Sequence, residues 1–317
     1  MIDTTTVADL FTRWEIPRGV TFALAFAAFI YALGWIRIRR TRSAQFPAWR
    51  LAAFLGGILF MFVAVASPLD TFSESLLFMH MAQHYLLMSV APPLIVLAAP
   101  IIPMLRGLPR FAIRALRPLF VTRVLHSAGR FFTRPRVAWL AMNAAYIGWH
   151  IPRAYEFALA SESWHNFEHA CFFFTNLMFW WPVIQPWPAR ATHSRWPLVP
   201  YLLLADVVNT AVSAFLCFSG RLLYPSYAEI PRPLALSALN DQAAAGAFMW
   251  VLGSVVYLVP AVFIVAQLLS PPSAAPPFSP ASTQVVGGLS FSSPRLQRKL
   301  QGKSPWVVKT TWTSYEK

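Results

Sequence analysis

Charge is scarce in this chain of 317 residues. Asp, Glu, Lys and Arg make up 12% of it, about half the share of an ordinary soluble domain. Acid is scarcer still, with 12 Asp and Glu against 26 Lys and Arg, for a net charge of +14. Cysteine is nearly missing. Cys171 and Cys217 both lie in apolar runs, which excludes a disulfide framework and any CxxC motif. No phosphate-binding glycine loop, nucleophile–base constellation or paired carboxylates stand out, so no catalytic turnover is expected. No internal repeat is visible.

What the chain has in abundance is hydrocarbon. Hydrophobic residues make up 57% of it and the mean hydropathy is +0.51. A membrane-crossing helix needs roughly 20 apolar residues for about 30 Å of bilayer core. Seven segments qualify, at about 19–36, 49–66, 76–104, 137–155, 165–185, 198–219 and 241–269. The expected fold is therefore all-α, a polytopic membrane protein with a bundle of seven transmembrane helices. Pro92, Pro93, Pro100 and Pro103 are expected to kink the third segment.

Basic residues set the expected direction. "RIRRTR" follows the first segment, eight arginines lie between Arg106 and Arg136, and Arg190 and Arg195 follow the fifth. Six more basic residues follow the seventh segment. The positive-inside rule makes that side cytoplasmic, with the N-terminus outside and the C-terminus inside. The first span is not read as a cleavable signal, because its positive charges follow the apolar run. The surplus charge is thus a topology signal, and nucleic acid is not an expected partner; the lipid bilayer is. The expected parts are an outer segment 1–18, a membrane domain 19–269 and a tail 270–317. Within the domain, 105–136 is basic, and Arg106, Arg110, Arg114 and Arg117 recur at helical spacing as on an interfacial amphipathic helix. The tail, opening "SPPSAAPPFSPAS", is rich in Pro, Ser and Ala and reads as disordered.

Histidine placement carries the functional signal. "HMAQHYLLM" sets His80 and His84 one helical turn apart, ~6 and ~12 Å below the outer end of the third span at 1.5 Å per residue. His165 and His169 repeat the i,i+4 spacing at the start of the fifth span. His150 lies near the outer end of the fourth. Five of the seven histidines thus fall in one shallow layer; His126 and His193 fall in cytoplasmic loops. A lone interfacial histidine usually packs and hydrogen-bonds, but ionisable residues grouped inside a membrane mark function. Imidazole is the commonest metal ligand, and with thioether it suits copper, alone also zinc or iron. Met88 continues the His80–His84 stripe and Cys217 lies near the outer end of span six, so soft donors are at hand. Asp206, Asn209, Thr210, Ser213 and Cys217 form a polar stripe on span six, and Asn143 and Asn176 share faces with histidines. Interhelical hydrogen bonding suffices for the asparagines, whereas the carboxylate of Asp206 at that depth needs a partner or a proton and is read as a supporting residue. Glu168 and Asp241 are read as supporting residues. Glu168 would neighbour a ligand or an arginine, and Asp241 would orient a histidine or cap span seven.

Three blocks, "HMAQHYLLMSVAPPLIVLAAP", "WHIPRAYEFALASESWHNFEHACFFFTNLMFWWPV" and "GRLLYPSYAE" with "LNDQAAAGAFMWVLGSVVYL", resemble the seven-helix CtaG family of cytochrome c oxidase assembly proteins over about residues 50–269. The resemblance implies a role in assembling haem-copper oxidase, with copper supply, in the bacterial inner membrane and with oxidase subunits as partners. Its histidines fall on His80, His84, His150, His165 and His169, and its DQ motif on Asp241. Three other readings stay open at this point: a haem-binding membrane protein with axial histidines, a small-ion or metabolite transporter along the span-six stripe, and a scaffold whose histidines only make hydrogen bonds.

Overall fold

The computed structural model describes Trp14 and residues 16–187, 194–228, 230 and 236–270. Most of 1–18, Arg190, His193, the His126 side chain and the tail from 271 lie outside the described residues. Among those residues every regular element is helical. Helix α1 is Arg18–Arg39 and α2 is Ala48–Ala66. A short α3, Pro68–Ser73, leads into α4, Leu77–Leu97, and α5, Ile101–Gly107. Helices α6, Arg110–Val121, and α7, Arg123–Phe132, carry the arginines. Next come α8, Pro135–His150, α9, Pro152–Leu159, and α10, Glu162–Ile184. Helix α11 is Leu198–Phe218 and α12 is Ala238–Leu269.

Four of these, α1, α2, α11 and α12, are long and apolar enough to cross a bilayer alone. The third apolar segment is not one rod. Pro92 and Pro93 cannot donate hydrogen bonds to the preceding turn, and just before them Leu86–Val90 forms a π turn. After Leu97 the chain bends by 71° into α5. Pro100 again withholds a donor, Ala99 turns left-handed at φ 51°, and the Tyr31 hydroxyl donates to the freed Ala98 carbonyl at 2.8 Å. Counting that bent pair as one span gives five. The expected fourth segment is also divided. Pro152 ends α8 after 16 residues, ~24 Å of helix, and α9 follows separately. Helix α10 has the length, 23 residues, but its histidines, glutamates and asparagines lower its hydropathy.

The packing is inverted relative to a soluble protein. Phe22, Phe26, Val251, Val255, Val259 and Phe263 face outward, whereas His80, Gln83, His84, Glu168, Asn176, Asp241 and Gln242 are buried. Helix α12 packs along α11 and against the first half of α4, while α10 packs against α8 and the second half of α4. Small residues bring backbones together. At Gly246 a Cβ would lie 2.6 Å from the Cys217 nitrogen, and at Gly34 it would lie 1.7 Å from the Pro103 carbonyl oxygen. The crossing of α1 over α5 therefore admits no side chain there. On α6, Arg110, Arg114 and Arg117 are exposed beside Phe111 and Ile113, whereas Arg106, expected on the same helix, ends up on α5.

Gly34→Val should destabilise the protein by about 2 kcal/mol, the range of overpacked cores. Gly148→Ala, with nothing within 4 Å of its added carbon, should leave the midpoint unchanged or raise it. Thermal unfolding of the detergent-solubilised protein reads both.

Candidate metal centre

The i,i+4 spacing does what helical geometry requires of it. His80 and His84 project from one face of α4, and His165 and His169 from one face of α10. Their ring centroids stand 4.3 Å apart on α4 and 4.2 Å apart on α10. Across the helices His80 meets His165 at 5.1 Å and His84 meets His169 at 5.1 Å. The diagonals are 6.5 and 6.4 Å, so the four rings occupy the corners of a near-square. One ligand nitrogen from each lies within 4.8 Å of all the others. A tetrahedral ion with metal–nitrogen bonds of ~2.0–2.1 Å holds its donors roughly 3.3 Å apart, a spacing that small ring rotations reach from here.

The nitrogens are also unspent. Nε2 of His80, His84, His165 and His169 has no hydrogen-bond partner among the described residues, and neither does Nδ1 of His84. A buried polar atom left alone costs about 1–3 kcal/mol. So many at one point call for a ligand.

Hydrogen bonds around the centre fix how the rings are presented. The Tyr227 hydroxyl donates to the Ser73 carbonyl at 2.9 Å and has only one proton to give. His80 Nδ1, 3.2 Å away, must then donate to the phenol oxygen, which leaves its Nε2 with a bare lone pair. Tyr155 joins the same oxygen at 3.3 Å. Gln83, between the two α4 histidines, donates to the Ala64 carbonyl at 2.8 Å and to Asp70 Oδ1 at 2.6 Å. Burial pushes the Asp70 carboxyl above its ordinary range, while the Gln83 hydrogen bond and His165 pull it down.

Asp241 does neither of the things expected of it. Its own helix is capped by Ser237, whose hydroxyl accepts from Asn240 N. The Asp241 carboxylate instead caps α4, accepting from Leu77 N at 2.8 Å and Phe78 N at 3.1 Å. Leu76 at that helix start offers no side-chain cap, so the carboxylate arrives from 164 residues away to meet the positive end of the helix. Gln242 beside it accepts from Leu223 N at 2.7 Å and donates to Ser219 Oγ at 2.8 Å and the Arg221 carbonyl at 3.0 Å. That anchors the loop leading to Tyr224 and Tyr227. Sequence reasoning missed Gln83, Gln242, Tyr155, Tyr224 and Tyr227; their one signal was membership of the motif blocks.

The other expected residues land apart. His150 is not in the four-ring group. Phe172 packs between it and His84, at 4.9 Å from His84 and 6.0 Å from His150. His150 Nδ1 donates to the Tyr146 carbonyl at 2.7 Å, and its buried Nε2 has no partner. With His84, Met81, Met88 and Met249 it lines a small inner pocket of about 20 Å³, room for a single water. The π turn carries Met88 to that pocket. Glu168 is wholly buried beside the centre, its Oε1 4.0 Å from His84 Nε2, with no arginine on it. Asp206 and Cys217 line neither the group nor either cavity. Asn143 and Asn176 bond to carbonyls four residues back on their own helices rather than across helices. Asn209 does bridge, accepting from Tyr146 on α8 and donating to the Met249 carbonyl on α12, while Asp206 Oδ1 and Ser213 Oγ of the same stripe have no hydrogen-bond partner among the described residues.

On its other side the centre floors an open vestibule of about 860 Å³, where His80, His165 and His169 meet Pro17 and Val20 from the start of α1. The far end of α1, ~33 Å on at 1.5 Å per residue, carries Arg37, which donates to the Arg106 carbonyl. The histidines and the arginine-rich helices thus occupy opposite ends of α1.

Comparison with known proteins gives the family. The sequence model of the cytochrome c oxidase caa3 assembly factor family (Caa3_CtaG) matches residues 29–270, and the chain belongs to that family. This is a family of assembly factors, not a class of enzymes. "Uncharacterized protein Mb0105" of Mycobacterium bovis and "Uncharacterized protein MT0111" of Mycobacterium tuberculosis are each 25% identical over 275 residues. "Uncharacterized protein ML1998" of Mycobacterium leprae is 25% identical over 276. These alignments cover 82–83% of this chain and 40% of each relative, so the chain spans about two fifths of their length. No solved structure matches it.

Asp241→Ala should remove the α4 cap, at a cost of about 1–2 kcal/mol for the cap alone, and lower the thermal midpoint in detergent. Asp241→Asn keeps one acceptor oxygen and should fall between the two.

Proposed function

We propose that this chain is an integral membrane assembly factor that carries copper as cargo on His80, His84, His165 and His169 and passes it to a subunit of a haem-copper oxidase. The observation that carries this reading is the convergence of four unpartnered imidazole nitrogens within 4.8 Å. Donors converging on one point suit a small ion; a haem takes axial ligands on opposite faces of a plane. An all-imidazole set fits copper, zinc or iron, and membership of an oxidase assembly family favours copper. His150, Met88 and Glu168 serve beside the centre rather than in it: Glu168 supplies nearby negative charge, and His150 with Met88 faces the inner pocket. Asp241 positions α4, and no role in holding cargo is assigned to Cys217 or Asp206. The protein performs no catalytic turnover in this reading.

The proposed setting is the bacterial inner membrane, crossed seven times, with α4–α5, α8 and α10 added to the four self-sufficient helices. The arginine-rich end is cytoplasmic and the histidine end external, supported by their placement at opposite ends of α1. The tail from 271 is a cytoplasmic extension.

Metal analysis tests the reading. Purified protein reconstituted with copper(I) should retain about one copper per chain. His80→Ala/His84→Ala should retain none, and equal copper in both would overturn the assignment. Tyr227→Phe, which removes the oxygen that orients His80, should keep the stoichiometry but weaken affinity by about tenfold, the low end for a lost ligand-orienting partner.

A further inference from the structure

The vestibule above the four rings is unlike the rest of the molecule. The chain carries a net +14, yet among the described residues the walls of this cavity hold Asp70, Glu74, Glu156 and Glu162 and no lysine or arginine. The remaining acidic residues among those described, Glu168, Asp206 and Asp241, lie elsewhere. Three separate segments bring the four carboxylates together. Asp70 sits in α3, Glu74 just beyond it, Glu156 in α9 and Glu162 in the first turn of α10. Glu162 lies near enough to Asp70 to raise its pKa, though burial is the larger cause.

Independent of the carboxylates, the floor points to a ligand. His80 and His169 are 1% and 8% exposed, line this cavity, and keep Nε2 without a partner. The rim is accessible, with Glu74 and Glu162 exposed. A cleft lined by one sign of charge between low-dielectric walls concentrates counter-ions and speeds their capture by about 10- to 1,000-fold.

We propose that this acidic vestibule is the loading mouth of the centre, steering a metal cation from solvent onto the Nε2 atoms of His80, His165 and His169. The proposal rests on the metal-holding reading above and adds to it the route and the charge of what enters. Cargo arrives as a bare or weakly liganded cation; a metal wrapped in an anionic chelate is repelled. Glu156 also holds the loop of Tyr227, accepting from Ser226 N at 3.2 Å and from the Ser226 hydroxyl, so one wall of the mouth is tied to the residue that orients His80.

Stopped-flow loading tests it, with copper(I) supplied to the detergent-solubilised full chain as its acetonitrile cation over 20–500 mM salt, about 20 to 4 Å of screening length. Wild type should load more slowly as salt rises. Glu74→Gln/Glu162→Gln, which leaves the Glu156 contacts to the Tyr227 loop in place, should load about fivefold more slowly at low salt, with a weaker salt dependence and unchanged copper at equilibrium. Glu162→Gln alone alters an exposed side chain, and should slow loading two- to threefold without touching the loop. Equal rates and salt slopes in wild type and both variants, at equal final copper, would overturn the vestibule while leaving the centre intact. A wild type that takes up no copper would overturn the centre itself, and the vestibule with it.

Discussion

Two backbone amides at the start of α4 point at the carboxylate of Asp241, and the presentation of His80 and His84 depends on that pair of hydrogen bonds. A helix that begins inside a bundle has open N–H groups and no water to satisfy them. Leu76 cannot help, so the charge comes from α12. Gln242, the next residue, spends both ends of its amide on the loop that ends in Tyr227. One dipeptide therefore holds the helix bearing two of the imidazoles and the loop bearing the phenol that orients one of them.

The same logic separates structural polarity from functional polarity. Asn143, Asn176, Asn209, Gln83 and Gln242 all find partners, as buried amides must. The four imidazoles leave nitrogens unmatched, and Glu168 leaves both oxygens unmatched. Other unmatched buried atoms, such as Trp180 Nε1, Asp206 Oδ1 and Ser213 Oγ, stand singly, whereas those of the four imidazoles and Glu168 are grouped. That concentration, more than the presence of histidine, separates the centre from ordinary bundle packing.

Much of this was legible in the chain. The two i,i+4 histidine pairs lie where their spacing put them, the four most apolar helices match expected segments to within a few residues at each end, and the motif blocks pointed to the family the chain belongs to. His150 was read at the same depth as the others but stands outside their group, because depth along a helix says nothing of rotation and Phe172 fills the gap. Met88, read as continuing the histidine stripe, lies in the π turn and lines the inner pocket beside His84. Asp241 was read against its own helix because capping is sought locally, whereas here the helix in need was 164 residues away. The tyrosines stayed hidden because a phenol in an apolar protein looks like packing until its hydroxyl is seen to have company. The bend in the third segment lay in prolines that were read as kinks, whereas Pro152, which divides the fourth, was not singled out.

The single hydroxyl proton of Tyr227 has a further consequence. It is committed to the Ser73 carbonyl, so the adjoining imidazole is held in one tautomer before any cargo arrives. Its Nε2 is then fixed as an acceptor without any rearrangement of protons across the ring.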